Sequence, residues 1–195
     1  YVSGLHAGDG VDEPDFLEVV DVNPESATDS GIVHRTSMPN VGDELHHYGW
    51  QVCSSACHST MERKHLVVPG FRSSRLHIVD VGSDPRRPAI AKVIECDEIK
   101  RKTGLSAPHT VHCMPGEIVV VSMLGNADGD APGGFLVLDA QNFDVLGRWE
   151  NNLNGMQFTY DYWYQPRHNA MVSSEWAAPN PSQGGFALTD LSAGQ

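Results

Sequence analysis

The chain has 195 residues, of which 40% are hydrophobic and 19% are charged, and its formal net charge at pH 7 is −12. This composition excludes intrinsic disorder, because it supplies enough apolar side chains for a folded core. The negative charge argues against nucleic acid and anionic membranes as partners, since both would repel this surface.

An internal repeat runs through the chain. A strand-length, largely apolar segment ends in an aspartate three times, and the three aspartates are 59 residues apart in both intervals. Such a repeat is the main evidence for the fold class. The segments are Phe16–Val22, Arg75–Val81 and Gly134–Ala140, with aspartates at Asp21, Asp80 and Asp139.

The repeat predicts an all-β fold, a β-propeller of which this chain supplies about three blades. Each repeat contains four short antiparallel strands, which is the pattern of a propeller blade, whereas helical signals are limited to one turn at 97–102. Propellers close with four to eight blades, so we expect the C-terminal half to be missing. The predicted divisions are an irregular lead-in at 1–14, a half blade at 15–38, blades at 45–95 and 108–150, and the start of another blade at 157–195.

Two pairs of histidines indicate a metal site. His46 and His47 are predicted to lie at the head of a strand, and His109 and His112 follow about one repeat later. Equivalent positions on the inner strands of neighbouring blades point into one end of the channel, so we expect these four imidazoles to meet. Imidazole is a good ligand for copper, zinc, iron and nickel. The alternatives are a surface loop or packed pair at His46 and His47, and a turn cap at His109.

The other histidines give weaker signals. His168 falls in a predicted turn, where a hydrogen-bonded turn residue is a better explanation than a metal ligand. His34, His65 and His77 fall on middle or outer strands and are expected to be half-exposed side chains.

The four cysteines, Cys53, Cys57, Cys96 and Cys113, are too few for a disulfide scaffold. Free thiols or metal ligands are the favoured interpretation. A Cys53–Cys57 disulfide, a c-type haem attachment segment formed by Cys53, Cys57 and His58, and a redox-active thiol pair are the alternatives.

At these residues the chain resembles the selenium-binding protein and methanethiol oxidase family. The similarity extends over about residues 15–180 and is carried by many short motifs in order. They include Met38-Pro39-Asn40, Asp43-Glu44-Leu45-His46-His47, Cys53-Ser54-Ser55, Ser73-Ser74-Arg75, His109-Thr110-x-His112-Cys113, Trp163-Tyr164-Gln165-Pro166-Arg167-His168-Asn169 and Ser174-Glu175-Trp176-Ala177-Ala178-Pro179-Asn180.

The resemblance implies a seven-bladed propeller more than twice this length. It also implies an enzyme that uses oxygen and water to oxidise methanethiol, a small thiol, to formaldehyde, hydrogen sulfide and hydrogen peroxide. Copper held by channel histidines is the implied cofactor, with His46, His47 and at least one of His109 and His112 as ligands. A further histidine of the family's C-terminal half has no counterpart here.

The chain departs from the family pattern at the position where animal members carry a cysteine proposed to take selenium. Here the sequence reads Asp29-Ser30-Gly31, so selenium binding at Ser30 is not supported. The alternative function is a non-catalytic selenium- or metal-binding propeller module.

The residue that moves protons is not identified by a motif, and Asp161 is a weak candidate. Tyr48, Trp50 and Tyr162 are predicted to wall a small apolar pocket. No signal-peptide pattern is visible, which favours the cytoplasm over the periplasm. The first residue is Tyr1, so we expect that the true N-terminus is absent.

Overall fold

The computed structural model describes residues 1–8, 10, 12–53, 59–185 and 187–189. The predicted all-β class is confirmed, because most of the ordered structure consists of short antiparallel strands. The strands are β1 (Val2–Gly4), β2 (Phe16–Val20), β3 (Ile32–Ser37), β4 (Gly49–Trp50), β5 (His65–Gly70), β6 (Arg75–Asp80), β7 (Ala89–Ile94), β8 (Leu105–Met114), β9 (Ile118–Asn126), β10 (Gly134–Asp139), β11 (Val145–Arg148), β12 (Tyr162–Gln165) and β13 (Ala170–Ser173).

These strands form four sheets in chain order. The first sheet has the order β1-β2-β3, the second β4-β5-β6-β7, the third β11-β10-β9-β8, and the fourth consists of β12 and β13. Each strand pairs antiparallel with its neighbour in sequence, so every sheet is a simple meander. The prediction of an irregular lead-in at 1–14 is wrong for β1, which pairs with β2 and completes the first sheet.

The repeated aspartate has the same local role in each of the first three sheets. The carboxylate of Asp80 accepts the backbone N–H groups of Gly82 and Ser83, and Asp139 accepts those of Gln141 and Asn142. Asp21 likewise accepts the N–H of Asn23. The repeat is therefore an Asx turn that ends a strand and begins a hairpin.

Two helices interrupt the strands, α1 (Cys96–Thr103) and α2 (Pro179–Gly184). The predicted single turn is thus a full helix of eight residues. Its last turn is closed by Gly104, which has φ 67° and donates its N–H to the carbonyl of Lys100, as a C-terminal glycine does. Neither described helix has the length and apolar character that a bilayer crossing requires.

Neighbouring sheets pack through continuous apolar clusters. Leu76 and Ile78 of the second sheet meet Val111 and Val121 of the third, and Ile99 of α1 covers the same cluster. Smaller clusters join the first sheet to the second and the third to the fourth. Burial between sheets explains why β9 is buried at seven of its nine residues and carries apolar side chains at consecutive positions from Ile118 to Val121.

A disulfide between Cys53 and Cys113 also joins the second and third sheets. The prediction that the cysteines are free thiols or ligands is wrong for this pair, and Cys53 is not bonded to Cys57. Cys113 lies on β8 and Cys53 follows β4, so the bond fixes two strands of different sheets side by side. The haem-like segment at 54–58 lies outside the described residues.

The segment between β3 and β4 is held by two buried carboxylates. Asp15 accepts the N–H of Leu45 at 3.0 Å. Asp43 is fully buried, with Arg75 Nη1 3.2 Å from Oδ1 and His77 Nε2 3.2 Å from Oδ2. The second contact lacks hydrogen-bond geometry and is electrostatic. The expectation of a half-exposed His77 is therefore wrong, because its ring lies beneath this segment with no exposed surface.

We predict that breaking the Cys53–Cys113 disulfide lowers the free energy of unfolding. The bond spans 60 residues, and a loop of that length restricts the unfolded chain enough to give about 4 kcal/mol. Urea unfolding of Cys113→Ser should show this loss under non-reducing conditions. Cys96→Ser is the matched control, because Cys96 is a free thiol, and equal midpoints for both variants would contradict the assignment.

We predict that Asp43→Asn lowers the free energy of unfolding by about 3 kcal/mol at pH 7, because Arg75 and His77 lose a buried partner. Burial opposes ionisation of Asp43, but contacts with His77, Ser73 and Arg75 outweigh it and hold its pKa below the ordinary value of 3.8.

The ionised carboxylate therefore stabilises the fold above that value, and this contribution is lost as the pH falls through the folded-state pKa. The unfolding free energies of wild type and Asp43→Asn should differ by a constant amount from pH 7 to about pH 4, and should converge as the pH falls below 3.8. Asp144→Asn, at an exposed position, is the control. A difference that stays constant as the pH falls below 3.8 would contradict the prediction.

Candidate metal centre

Three imidazoles converge, two from the segment before β4 and one from β8. The ring centroids of His46 and His109 are 4.9 Å apart, those of His47 and His109 are 4.7 Å apart, and those of His46 and His47 are 5.9 Å apart. One ring nitrogen from each residue lies within 4.8 Å of the other two. The sequence prediction placed these three residues together with a fourth, His112.

The backbone explains how each ring reaches this point. His46 and His47 lie in the segment before β4 and not at the head of a strand, as the sequence had suggested. The N–H of His46 donates to the carbonyl of Pro69, which fixes this segment to the end of β5. His109 lies inside β8, within an irregularity of the β8–β9 register between Pro108 and Val111. An irregularity of this kind re-aims a side chain relative to a regular strand.

Aromatic rings cover two of the imidazoles. The ring of Phe71 stacks on His46 with a centroid distance of 4.8 Å and an interplanar angle of 21°. The ring of Tyr160 lies 4.2 Å from that of His109. Sequence reasoning missed both aromatic residues, because each is brought to the site by a strand or loop with no motif of its own.

The electrostatics favour neutral imidazoles. Burial, together with the neighbouring imidazoles of His46 and His47, lowers the pKa of His109 to about 4. Burial also lowers the pKa of His46, an effect that Glu44 partly opposes. Both rings are therefore neutral at pH 7, and neutral imidazole is the form that binds a metal.

Hydrogen bonds fix the orientation of His46 and His109. Nε2 of His46 lies 3.3 Å from Oε1 of Glu44. Nδ1 of His109 lies 2.9 Å from the carbonyl oxygen of Tyr160 and 3.0 Å from Oγ1 of Thr110. Nδ1 of His46 is buried and has no hydrogen-bond partner among the described residues. A buried polar atom without a hydrogen-bond partner requires an explanation, and its position next to two other imidazoles fits the role of a metal ligand.

An open cavity of about 370 Å³ lies beside the imidazoles and is lined by Ser3, Leu45, His46, His47 and Tyr48. Tyr48 thus borders it, as the sequence suggested. The prediction that Trp50 and Tyr162 also line this cavity is wrong. The ring of Trp50 packs near Arg63, and Tyr162 is buried with its hydroxyl donating to the carbonyl of Val120.

His112 does not join the cluster of ligand nitrogens found among the described residues. Its Nε2 lies 3.6 Å from Oδ1 of Asp161, and its ring stands between those of Tyr162 and Trp163 at 4.9 and 5.2 Å. Two sequence candidates, His112 and Asp161, are therefore partners of each other.

The remaining candidates lie in turns. The N–H of His168 donates to the carbonyl of Gln165 at 3.2 Å in the turn between β12 and β13, and its side chain is exposed. This position agrees with a turn residue. Ser30 lies in the turn between β2 and β3, with its N–H donating to the carbonyl of Asp21.

Comparisons with known proteins agree with the resemblance seen in the sequence. A family model described as the 56 kDa selenium-binding protein matches residues 1–195. A protein from Xenopus laevis named methanethiol oxidase is 47% identical over the whole chain, and its human counterpart of the same name is 46% identical. A protein from Arabidopsis thaliana named selenium-binding protein 2 is 47% identical over the whole chain.

The chain spans about two fifths of the length of these relatives, with values of 40–41%. A crystal structure of a hypothetical selenium-binding protein from Sulfolobus tokodaii is also similar, with a TM-score of 0.92 and 47% sequence identity over 97% of this chain and 42% of that one. The chain therefore belongs to the 56 kDa selenium-binding protein family.

Proposed function

We propose that this chain forms part of a β-propeller that acts as a copper-dependent methanethiol oxidase. The reaction would convert methanethiol, oxygen and water to formaldehyde, hydrogen sulfide and hydrogen peroxide. The carbon loses two electrons and oxygen gains two, so the reaction is balanced. The convergence of His46, His47 and His109 is the observation that carries this proposal. The relatives named methanethiol oxidase support the choice of substrate.

The three imidazoles fit copper by their chemistry. Neutral imidazole is a ligand of copper, zinc, iron and nickel, and the burial of His46 and His109 keeps them in that form. Metal–nitrogen bonds of roughly 2.0–2.1 Å would require ring nitrogens no more than about 4.2 Å apart. The present separations of up to 4.8 Å would have to shorten by about 0.6 Å to reach that limit. A further ligand could come from the part of the relatives' length that this chain does not span.

The residues around the imidazoles would hold the substrate in the cavity beside them and limit its contact with water. Copper, when bound, would hold the substrate sulfur as a thiolate and exchange electrons with oxygen. Leu45 and Tyr48 border the cavity beside the imidazoles and would contact the methyl group. Phe71 and Tyr160 cover His46 and His109 and would keep water from the side of the rings that faces the core.

The His112–Asp161 pair is our candidate for moving protons to and from solvent. The two side chains are 30% and 54% exposed, so both can exchange protons with water. Asp161 follows Tyr160, whose carbonyl contacts His109, so the pair is joined to the site through two adjacent residues. A carboxylate beside an imidazole is a common arrangement for general acid–base chemistry.

We predict that the purified full-length protein, loaded with copper and supplied with methanethiol and oxygen, releases sulfide and peroxide in equal amounts. His109→Gln should weaken metal binding by more than the roughly 10–100-fold typical of a lost outer-shell partner, because it removes a ligand. Copper content by elemental analysis and product release by colorimetric assay are the measurements.

His168→Gln is the matched control, since this turn residue should leave copper content and product release unchanged. Stoichiometric copper without any product would contradict the oxidase proposal and favour a non-catalytic metal-binding module. Copper content unchanged by His109→Gln would contradict the proposed ligand set.

A further inference from the structure

Two of the three imidazoles have a ring nitrogen beside a group that can only accept a hydrogen bond. Nε2 of His46 faces the carboxylate of Glu44, and Nδ1 of His109 faces the backbone carbonyl of Tyr160. Neither a carboxylate nor a carbonyl carries a proton to donate. The ring proton therefore lies on Nε2 in His46 and on Nδ1 in His109. The hydroxyl of Thr110, also beside Nδ1 of His109, is compatible with this assignment because it can accept a hydrogen bond and itself donate to the Tyr160 carbonyl.

A neutral imidazole carries one ring proton, so the other ring nitrogen has a lone pair that is available to bind a metal. In His46 this is Nδ1, the atom that is buried without a hydrogen-bond partner in the described part of the chain. In His109 it is Nε2. The two histidines thus offer different nitrogens to the space between them.

Glu44 is itself held firmly in place. Its Oε2 lies 3.0 Å from Nε and 2.9 Å from Nη2 of Arg72, while Oε1 remains for His46. Its carbonyl accepts the N–H of Phe71, the residue whose ring stacks on His46. Glu44 also has a φ of 54°, a left-handed conformation that is uncommon for residues other than glycine. Such local strain persists where the surrounding structure fixes it, often at functional sites.

We propose that Glu44 is a positioning residue of the metal centre: it orients His46 to bind through Nδ1, whereas the Tyr160 carbonyl orients His109 to bind through Nε2. This inference rests on the proposed metal site and adds to it an outer shell and a choice of ligand atom. A ligating histidine usually donates its other ring N–H to a carboxylate or carbonyl, which fixes the tautomer. Arg72 extends the shell by one further residue.

The tautomers can be read directly in the metal-free protein. Long-range ¹H–¹⁵N correlation spectra of ¹⁵N-labelled protein distinguish the two neutral forms of each imidazole, with signals assigned from His46→Gln and His109→Gln. We expect the Nε2–H form for His46 and the Nδ1–H form for His109. The Nδ1–H form for His46 would overturn the proposal, whatever the protein's enzymatic activity.

Metal affinity gives a second, independent test with Zn²⁺, which is redox-silent. Competition against a chromophoric chelator should show that Glu44→Ala binds Zn²⁺ about 10–100-fold more weakly than wild type. Glu44→Gln should lose less, because its amide oxygen still accepts the His46 Nε2–H. This conservative variant also keeps the test valid if Glu44→Ala is poorly folded.

Glu18→Gln is the matched control, because Glu18 is also paired with an arginine, Arg35, but lies in the first sheet. It should bind Zn²⁺ as wild type does. An affinity of both Glu44 variants within about twofold of wild type would overturn the proposal. An inactive oxidase with normal Zn²⁺ binding and the expected tautomers would overturn the proposed function alone.

Discussion

The candidate metal centre depends on the close approach of β8 to β4, two strands of different sheets. Gly49 allows this approach, since a Cβ at that position would overlap the carbonyl oxygen of Val111. The Cys53–Cys113 disulfide joins the same two segments a few residues further on. His47 lies two residues before Gly49 and His109 two residues before Val111. The contact that packs the sheets is therefore also the contact that brings the imidazoles together.

Much of this arrangement could be predicted from the sequence. The aspartate repeat indicated equivalent sheets, and each aspartate ends a strand with the same turn. Histidines at equivalent places in neighbouring repeats were then expected to meet, and His46, His47 and His109 do. These predictions succeeded because repeat period and turn chemistry are local properties, readable from residue order alone.

The failures concern contacts that local patterns do not encode. His112 was expected to meet the other three imidazoles, but it follows His109 by three residues, a spacing that favours the opposite face of a strand, and it faces Asp161 instead. The pairing of Cys53 with Cys113 joins two sheets and carries no spacing signal. His77 was expected to be half-exposed, yet it lies buried beside Asp43 under the segment that carries His46. Each depends on packing between elements that are distant in sequence.

The most direct test of a shared metal site is anomalous diffraction at the copper edge from crystals grown with equimolar copper. The account predicts one peak within bonding distance of ring nitrogens from His46, His47 and His109. A peak at His112 or His168, or no peak among these three imidazoles at full copper occupancy, would contradict it.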